Sequence, residues 1–279
     1  MNNQLQCTVV TPSLNQGAYL DEALRSVGVQ RPAALEHLVI DGGSRDGSLD
    51  ILRRHAAGSR TQVRWVSEPD RGQSHALNKG FLQARGEIVG WLNSDDRYLP
   101  GCFTAIARAF AAYPEADVIY GDYNWIDERG RVFRIRREIE FSYFVLLYHR
   151  VLYIPTTATF FRRRIFEEGN LLDEHLHFAM DYEFFLRLSS RGYGFRHIPV
   201  VLADFRFHRA SKSCSMPEKQ LQEQEEVMRR YSPILRAQGS PLSRGIVSAV
   251  LRSTAAALRY SEKMVRGYYF DRFRKPTAA

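Results

Sequence analysis

Four short apolar runs in the first hundred residues each end in polar or acidic residues. Residues 8–11 lead into Pro12-Ser13-Leu14-Asn15, residues 37–40 into Asp41-Gly42-Gly43, residues 63–66 into Ser67-Glu68-Pro69-Asp70, and residues 87–92 into Asn93-Ser94-Asp95-Asp96. Runs of this length, rich in branched and aromatic side chains and separated by helical spacers, read as parallel strands of an α/β sheet. The spacers predict helices over 18–29, 49–56, 73–84 and 100–113, the last stopped by Pro114. Ligands of such sheets bind beyond the carboxyl ends of the strands, so four polar strand ends at one edge predict a single small-molecule site.

Composition supports this without deciding it. A chain of 279 residues, 44% hydrophobic and 25% charged, has the make-up of an ordinary globular protein with one good core. Residues 1–6 show no basic stretch followed by an apolar one, no run approaches membrane-spanning length, and the three cysteines are far apart. The simplest reading is a reducing, cytoplasmic setting. The formal net charge of +8 is concentrated: residues 240–279 hold eight Lys/Arg against Glu262 and Asp271. The rest of the chain is close to neutral, which argues against nucleic acid as a partner.

Three strand ends carry chemistry. In Asp41-Gly42-Gly43-Ser44-Arg45-Asp46-Gly47 a carboxylate precedes glycines that let a ligand approach the backbone, so Asp41 can accept the ring N–H of a base such as uracil or thymine; the same residues equally suit a helix-capping turn. The glycines lack the GxGxxG spacing of a dinucleotide site, and an EF-hand loop would need carboxylates that are missing here. Arg71, at the start of a helix, combines a cation with free backbone N–H groups and suits a diphosphate, with Asn78 and Lys79 two turns along; the alternative is a solvated helix face with Arg71 paired to Asp70. In Asn93-Ser94-Asp95-Asp96 adjacent carboxylates repel unless a divalent cation or hydrogen-bond donors offset them, or they merely open a turn before Pro100.

Taken together, Thr11-Pro12-Ser13-Leu14-Asn15, the Asp41 motif, Glu68-Pro69-Asp70-Arg71-Gly72, Ala76-Leu77-Asn78-Lys79-Gly80 and Trp91-Leu92-Asn93-Ser94-Asp95-Asp96 resemble, in order, the N-terminal half of a family 2 glycosyltransferase. The resemblance implies a GT-A fold with a Rossmann-like, mostly parallel sheet flanked by helices. It also implies a nucleoside-diphosphate sugar donor, UDP or dTDP favoured, a divalent metal (Mn2+ or Mg2+), and transfer with inversion. By the family pattern the donor would be held by Thr11, Pro12, Ser13, Asn15, Asp41, Glu68, Arg71, Asn78, Lys79, Asn93, Ser94 and Asp95. Asn93-Ser94-Asp95 would occupy the Asp-x-Asp motif, with Asp95 on the metal, Asp96 compensating for Asn93, and Asn93 replacing the usual carboxylate.

The resemblance also assigns roles in the second half. Residues 178–188 have helical periodicity, and Met180-Asp181 resembles the family's Glu-Asp motif with Met180 in place of Glu. Asp181 is then the general base, with Glu183 in reserve, although Asp181 also suits a helix cap. His208 follows the apolar run 198–202 and matches a family histidine that reaches the metal or diphosphate; Arg206 and Lys212 would close over the phosphates. Thr157 and Thr159 resemble the strand on the acceptor side, with Met180 and Glu183.

Three segments follow: a donor half (1–100), an acceptor half (101–216) and a helical tail (217–279). In the tail, a helix over 218–230 is expected to pack through Leu221 and Val227. A second helix, over 242–270, places Arg244, Arg252, Arg259, Lys263 and Arg266 on one face, within an arc of roughly 100°, with Ile246, Val250, Ala257, Met264 and Tyr268 opposite. Such a basic face suits an anionic membrane, where a lipid-linked or glycan acceptor would lie at the inner face, through contact over 242–275. It equally suits docking on its own domain or in a homodimer. Two other functions compete: a sugar nucleotidyltransferase, which would want a basic, Gly-rich loop after the first strand, and an idle sugar-nucleotide or membrane-binding module, suggested by Asn93 and Met180.

Overall fold

The computed structural model describes residues 6–58, 61–208, 217–236 and 241–269. β1 (Cys7–Ser13), β2 (Glu36–Asp41), β3 (Gln62–Ser67) and β4 (Ile88–Trp91) are the four expected strands, and they pair in parallel in the order β3-β2-β1-β4. Every residue of β1, β2 and β4 is buried, which is why these strands read as continuous apolar runs without alternation. Their register aligns Ser13 with Asp41 and Asp41 with Ser67, so the polar strand ends share one edge of the sheet. The crossovers α1 (Leu20–Gly28), α2 (Ser48–Gly58) and α3 (Gln73–Gln83) lie within two residues of their expected limits. α3 approaches β1 so closely that a Cβ at Gly80 would strike Val10.

The sheet runs on into the second half without a break. After β5 (Arg97–Tyr98) and α4 (Cys102–Ala112) come β6 (Val118–Ile126), β7 (Val132–Arg136) and α5 (Tyr143–His149). β8 (Thr159–Arg162), α6 (Arg164–Glu167), α7 (Met180–Ser190) and β9 (Phe195–Arg206) follow. β8 inserts antiparallel between β4 and β6, β6 pairs in parallel with β9, β5 closes the sheet antiparallel to β9, and β7 pairs antiparallel with the far half of β6. Phe160 and Phe161 are successive residues of β8 and therefore point to opposite faces: Phe160 joins Phe103 and Ile106 on one side, Phe161 joins Phe166, Phe184 and Phe185 on the other. Both cores thus meet on the strand beside β4, and hold its end rigid. The thiols of Cys7 and Cys102 are free and buried.

The tail helices are α8 (Pro217–Tyr231), α9 (Pro233–Arg236) and α10 (Pro241–Val265). α8 packs through Val227 and Met228, as expected for Val227, whereas Leu221 is 56% exposed. Six residues turn a helix by about 240°, which carries Leu221 away from the face that holds Val227. α10 docks by its basic side. The fully buried carboxylate of Glu138 accepts from Arg259 at 2.6 Å and from Lys263 at 3.0 Å, and Arg266 directs a guanidinium nitrogen at His197 Nδ1, 3.3 Å away. A carboxylate removed from water draws the cations inward, so of the faces expected here the apolar one looks outward, with Ile246, Val250 and Met264 exposed. The side chain of Arg244 lies outside the described residues. Among the described residues no helix is long and apolar enough to cross a membrane.

Candidate functional site

A cleft of about 360 Å³ opens where β1 and β4 end, a size within the range of small-ligand sites. Pro12 and Ser13 form its floor, Asn93, Ser94 and Asp95 enter from the loop after β4, and Met180 and Asp181 line it from the start of α7. Residues expected in the donor half and in the acceptor half therefore face one cavity. The hydroxyl of Ser13 is buried there with no partner among the described residues, leaving a donor or acceptor for a ligand to satisfy.

The loop after β4 explains its own sequence. Asp96 is almost fully buried and turns inward: one oxygen accepts from the Arg206 backbone N–H at 2.9 Å, the other from the Thr157 hydroxyl and from Asn93 Nδ2. Burial, with the Asp95 charge beside it, pushes its carboxyl well above the usual range. Asn93 donates to Asp96 and accepts from Gln73 and from the Trp91 indole, both at 3.0 Å. An aspartate there would place a second charge against a buried carboxyl and lose the donor, so amide at Asn93 and carboxyl at Asp96 belong together.

Asp95 stays in the cleft, and its Oδ2 lies 2.9 Å from His208 Nε2. The His208 ring packs on Tyr19 at 4.9 Å, which fixes its orientation. Of the three expected metal ligands the geometry joins Asp95 and His208, while both oxygens of Asp96 are engaged below them. No group of three or more His, Cys, Asp or Glu able to hold a metal exists among the described residues. One carboxylate and one imidazole are donors that would suit a divalent cation, which would need its further ligands from outside the protein.

Other expected donor residues brace the walls. Thr11 is buried and shares a 2.8 Å hydrogen bond with His37. Asp41, fully buried, accepts from the backbone N–H groups of Gly43 and Ser44 and the hydroxyls of Ser44 and Ser67, so it holds the turn of the glycine loop. Asn15, with a left-handed φ of 53°, accepts from the Arg45 N–H at 2.9 Å and ties the first strand's loop to that turn. Glu68 pairs with Lys79 outside the cleft, Arg71 pairs with Glu174 at its exposed rim, and Asn78 clamps both backbone groups of Leu172. Arg206 is 2% exposed and sits behind the site, donating to the carbonyl oxygens of Asp95, Asp127 and Glu128 and pairing with Glu22. Lys212 lies outside the described residues.

On the acceptor side Thr157 supports Asp96, and the Thr159 hydroxyl donates to the Pro155 carbonyl at 2.6 Å, so neither faces the cleft; Thr156 does. Met180 takes a 2.8 Å contact from the Ser74 hydroxyl. Glu183 is buried and engaged by Arg187 and by the Tyr231 hydroxyl of α8, which leaves Asp181 as the carboxylate of α7 that lines the cleft. Asp70, Gln73, Trp91, His177, Phe178 and Gln220 also line it. Asp70 carried a signal, standing in the third strand's polar end; it lies so near the glycine loop that a Cβ at Gly42 would come within 2.6 Å of its Oδ2. Gln220 carried none, because tertiary docking of α8 brings it there.

With the cleft so arranged, the chain belongs to glycosyl transferase family 2, whose profile matches residues 8–170. It is 31% identical over 184 residues to an uncharacterized glycosyltransferase of Mycobacterium tuberculosis, covering 65% of this chain and 68% of that protein. It is 34% identical over 125 residues to the O-antigen biosynthesis protein RfbC of Myxococcus xanthus, covering 44% of this chain but 10% of that one. An uncharacterized glycosyltransferase of Nostoc sp. is 25% identical, and the chain spans about half of it (53%). The fold is shared with S. aureus TarS 1-349 in complex with UDP-GlcNAc, at a TM-score of 0.66 and 17% identity, over 92% of this chain and 74% of that one. A mannosyltransferase of Pyrobaculum calidifontis, in complex with GDP-Man and Mn2+, superposes at a TM-score of 0.64 with 17% identity and the same coverage of 92% and 74%. The architecture is the GT-A fold.

Proposed function

We propose that this chain is an inverting glycosyltransferase that moves a sugar from a nucleoside-diphosphate sugar, UDP or dTDP favoured, to a hydroxyl of a polysaccharide, glycolipid or glycan acceptor. The observation that carries the reading is that Asp95, at the end of a parallel strand, and Asp181, in the first turn of α7, line the same cleft. Asp181 takes the proton of the acceptor hydroxyl as its oxygen attacks the anomeric carbon; the bond from that carbon to the diphosphate oxygen breaks, and the configuration inverts. Asp95 and His208 would hold a divalent cation, which supplies countercharge to the departing diphosphate. Ser13 and Ser94 offer hydroxyls to the donor, and the dry, aromatic side of the cleft, Trp91 and Phe178, excludes water that would compete with the acceptor.

We further assign the outward face of α10 to contact with an anionic membrane. Ile246, Val250, Leu258 and Met264 are half or more exposed along it, with Tyr260 and Tyr269 at its margins. An apolar face of this kind, in a segment rich in Lys/Arg, suits insertion among lipid headgroups, which would bring a lipid-linked acceptor to the cleft.

The test is release of nucleoside diphosphate from UDP-glucose, UDP-GlcNAc, dTDP-rhamnose and GDP-mannose, with and without manganese, beside calorimetric binding of UDP, dTDP and GDP. Metal-dependent turnover of one nucleotide class is the expected result. A folded protein that binds none of the diphosphates would reduce the chain to an idle module.

A further inference from the structure

The first turn of α7, which carries Asp181, has no cap of its own. A helix leaves its first backbone N–H groups without intrahelical partners, and Ser, Thr, Asp or Asn normally supplies the missing acceptor. Here the capping position is Ala179, whose side chain accepts nothing; Asp181 Oδ1 takes the Tyr182 N–H at 2.8 Å, and the N–H groups of residues 177–179, which lead into the helix, need another acceptor. The acceptor comes from the tail. Glu223 of α8 receives the N–H groups of His177 at 3.0 Å, Phe178 at 2.7 Å and Ala179 at 2.9 Å on a single carboxylate oxygen, with a further 3.1 Å contact from His177 to the other oxygen. Around this point Tyr231 donates to Glu183 at 2.6 Å, Arg230 reaches Asp173 at 3.3 Å, and Val227 and Met228 are buried in the core that holds Phe184 and Phe185. Gln220, one turn before Glu223, lines the cleft itself.

We propose that Glu223 is a positioning residue for the transfer reaction: it holds the turn that leads into α7, up to the capping position Ala179, and so fixes the direction in which Asp181 presents its carboxylate. The inference rests on Asp181 being the base. A carboxylate placed against three backbone N–H groups at a helix N-terminus gains both the hydrogen bonds and the favourable end of the helix dipole. Removing it leaves the N–H groups of residues 177–179 without an acceptor and lets the segment 177–181 choose among several turns. A base must be held to a fraction of an ångström to be effective, so the loss appears in the chemical step while the donor floor, made by β1 and β4, is untouched. The tail, beyond the stretch matched by the family profile, thereby becomes part of the catalytic apparatus.

Two substitutions in the full chain test this, Glu223→Ala and Glu223→Gln, each read by amide hydrogen exchange and by diphosphate release from the donor of the panel above that wild type turns over. In Glu223→Ala, turnover should fall about 10- to 100-fold with the donor KM changed less than about twofold. Exchange at Phe178 and Ala179 should quicken by at least about tenfold while the strands keep their protection. Glu223→Gln retains an acceptor oxygen and should recover to within about threefold of wild type. Unchanged exchange at those two amides in Glu223→Ala overturns the proposal, and so does faster exchange with wild-type turnover, or a Gln variant as slow as Ala. If wild type turns over no donor, the transfer reading fails by itself, and the exchange arm alone then decides whether Glu223 holds the turn into α7.

Discussion

His208 Nε2 meets Asp95 Oδ2 at 2.9 Å, joining the loop after β4 to the end of β9 across 113 residues of sequence. The pair sits at the cleft, with Tyr19 packed on the imidazole and Arg206 held beneath the Asp95 carbonyl. If the two side chains hold a metal as proposed, they are drawn from different strand ends, and the sheet fixes their spacing in advance.

His208→Ala should therefore weaken manganese-supported binding of the preferred nucleoside diphosphate by about 10- to 100-fold, the usual cost of losing one group of a metal site. Binding without manganese should change little. Calorimetry with and without the metal checks it, and equal loss in both conditions would remove His208 from the metal.

Asp181→Asn keeps the shape of the proposed base and removes its ability to take a proton. Turnover should drop about 10²- to 10⁴-fold with donor affinity preserved to within about twofold. A variant that loses donor affinity in step with turnover would place Asp181 in donor binding instead.

The donor half was legible because parallel strands buried on both faces are largely apolar and end in polar residues at one edge; β1, β2 and β4 follow that rule, and β3, half-exposed at the edge of the sheet, follows it less closely. What could not be read was which polar residue faces the cleft. Asp41 and Asp96 carry the same carboxylate as Asp95, and Asn78 is as polar, yet all three spend their polar atoms on neighbours supplied by folding: a hydroxyl from Ser67 for Asp41, the backbone of Leu172 for Asn78, the hydroxyl of Thr157 for Asp96. β7 and β8 gave no comparable pattern, being short, and β6, though nine residues long and mostly buried, is broken by Gly121-Asp122, where its register against β9 shifts. In the tail, periodicity placed Arg259 and Lys263 opposite Ile246, Val250 and Met264, as found, although Arg252 of the expected basic face is exposed and Tyr268 lies past the helix end beside Arg266; it said nothing of which side would turn inward, because that choice depends on Glu138, more than a hundred residues away.

Glu138→Ala tests that choice. Arg259 is 3% exposed and would be left with a buried charge facing no carboxylate, so stability should fall by about 3–5 kcal/mol. Lys263 and Arg136 share the same partner and add to the loss. Urea unfolding measures it, and a double cycle with Arg259→Ala should give a coupling of about 1 kcal/mol or more. Additive losses would mean that α10 docks by its apolar contacts alone.

His37, buried between β1 and β3, offers a pH test independent of the site. Burial, reinforced by the charge of His55, pushes its imidazole down to about 3. In the unfolded chain it titrates near 6.5, so below that pH the unfolded state binds a proton the folded state refuses. Stability from this group is complete above about pH 6.5 and falls as the pH drops toward 3, by roughly 2 kcal/mol at pH 5. Urea unfolding of His37→Gln between pH 8 and pH 5 should show a shallower decline than wild type by about that amount. Parallel declines would show that His37 finds a way to charge within the fold.

The outward face of α10, proposed above to contact an anionic membrane, can be tested directly. Val250 and Met264 are 58% and 60% exposed on a face that, over Ile246, Val250, Ala257 and Met264, carries no charge. Replacing both Val250 and Met264 with Asp puts two carboxylates where the headgroups would lie, while the buried contacts of Arg259 and Lys263 with Glu138 are left intact. Co-sedimentation with vesicles containing phosphatidylglycerol should fall about tenfold or more, since each carboxylate forfeits apolar burial and repels the anionic surface. Diphosphate release from a soluble donor should stay at the wild-type rate, because no residue of α10 lines the cleft. Wild-type protein that ignores the vesicles, and sediments as a dimer that the double substitution dissolves, would give this face to a second copy of the chain.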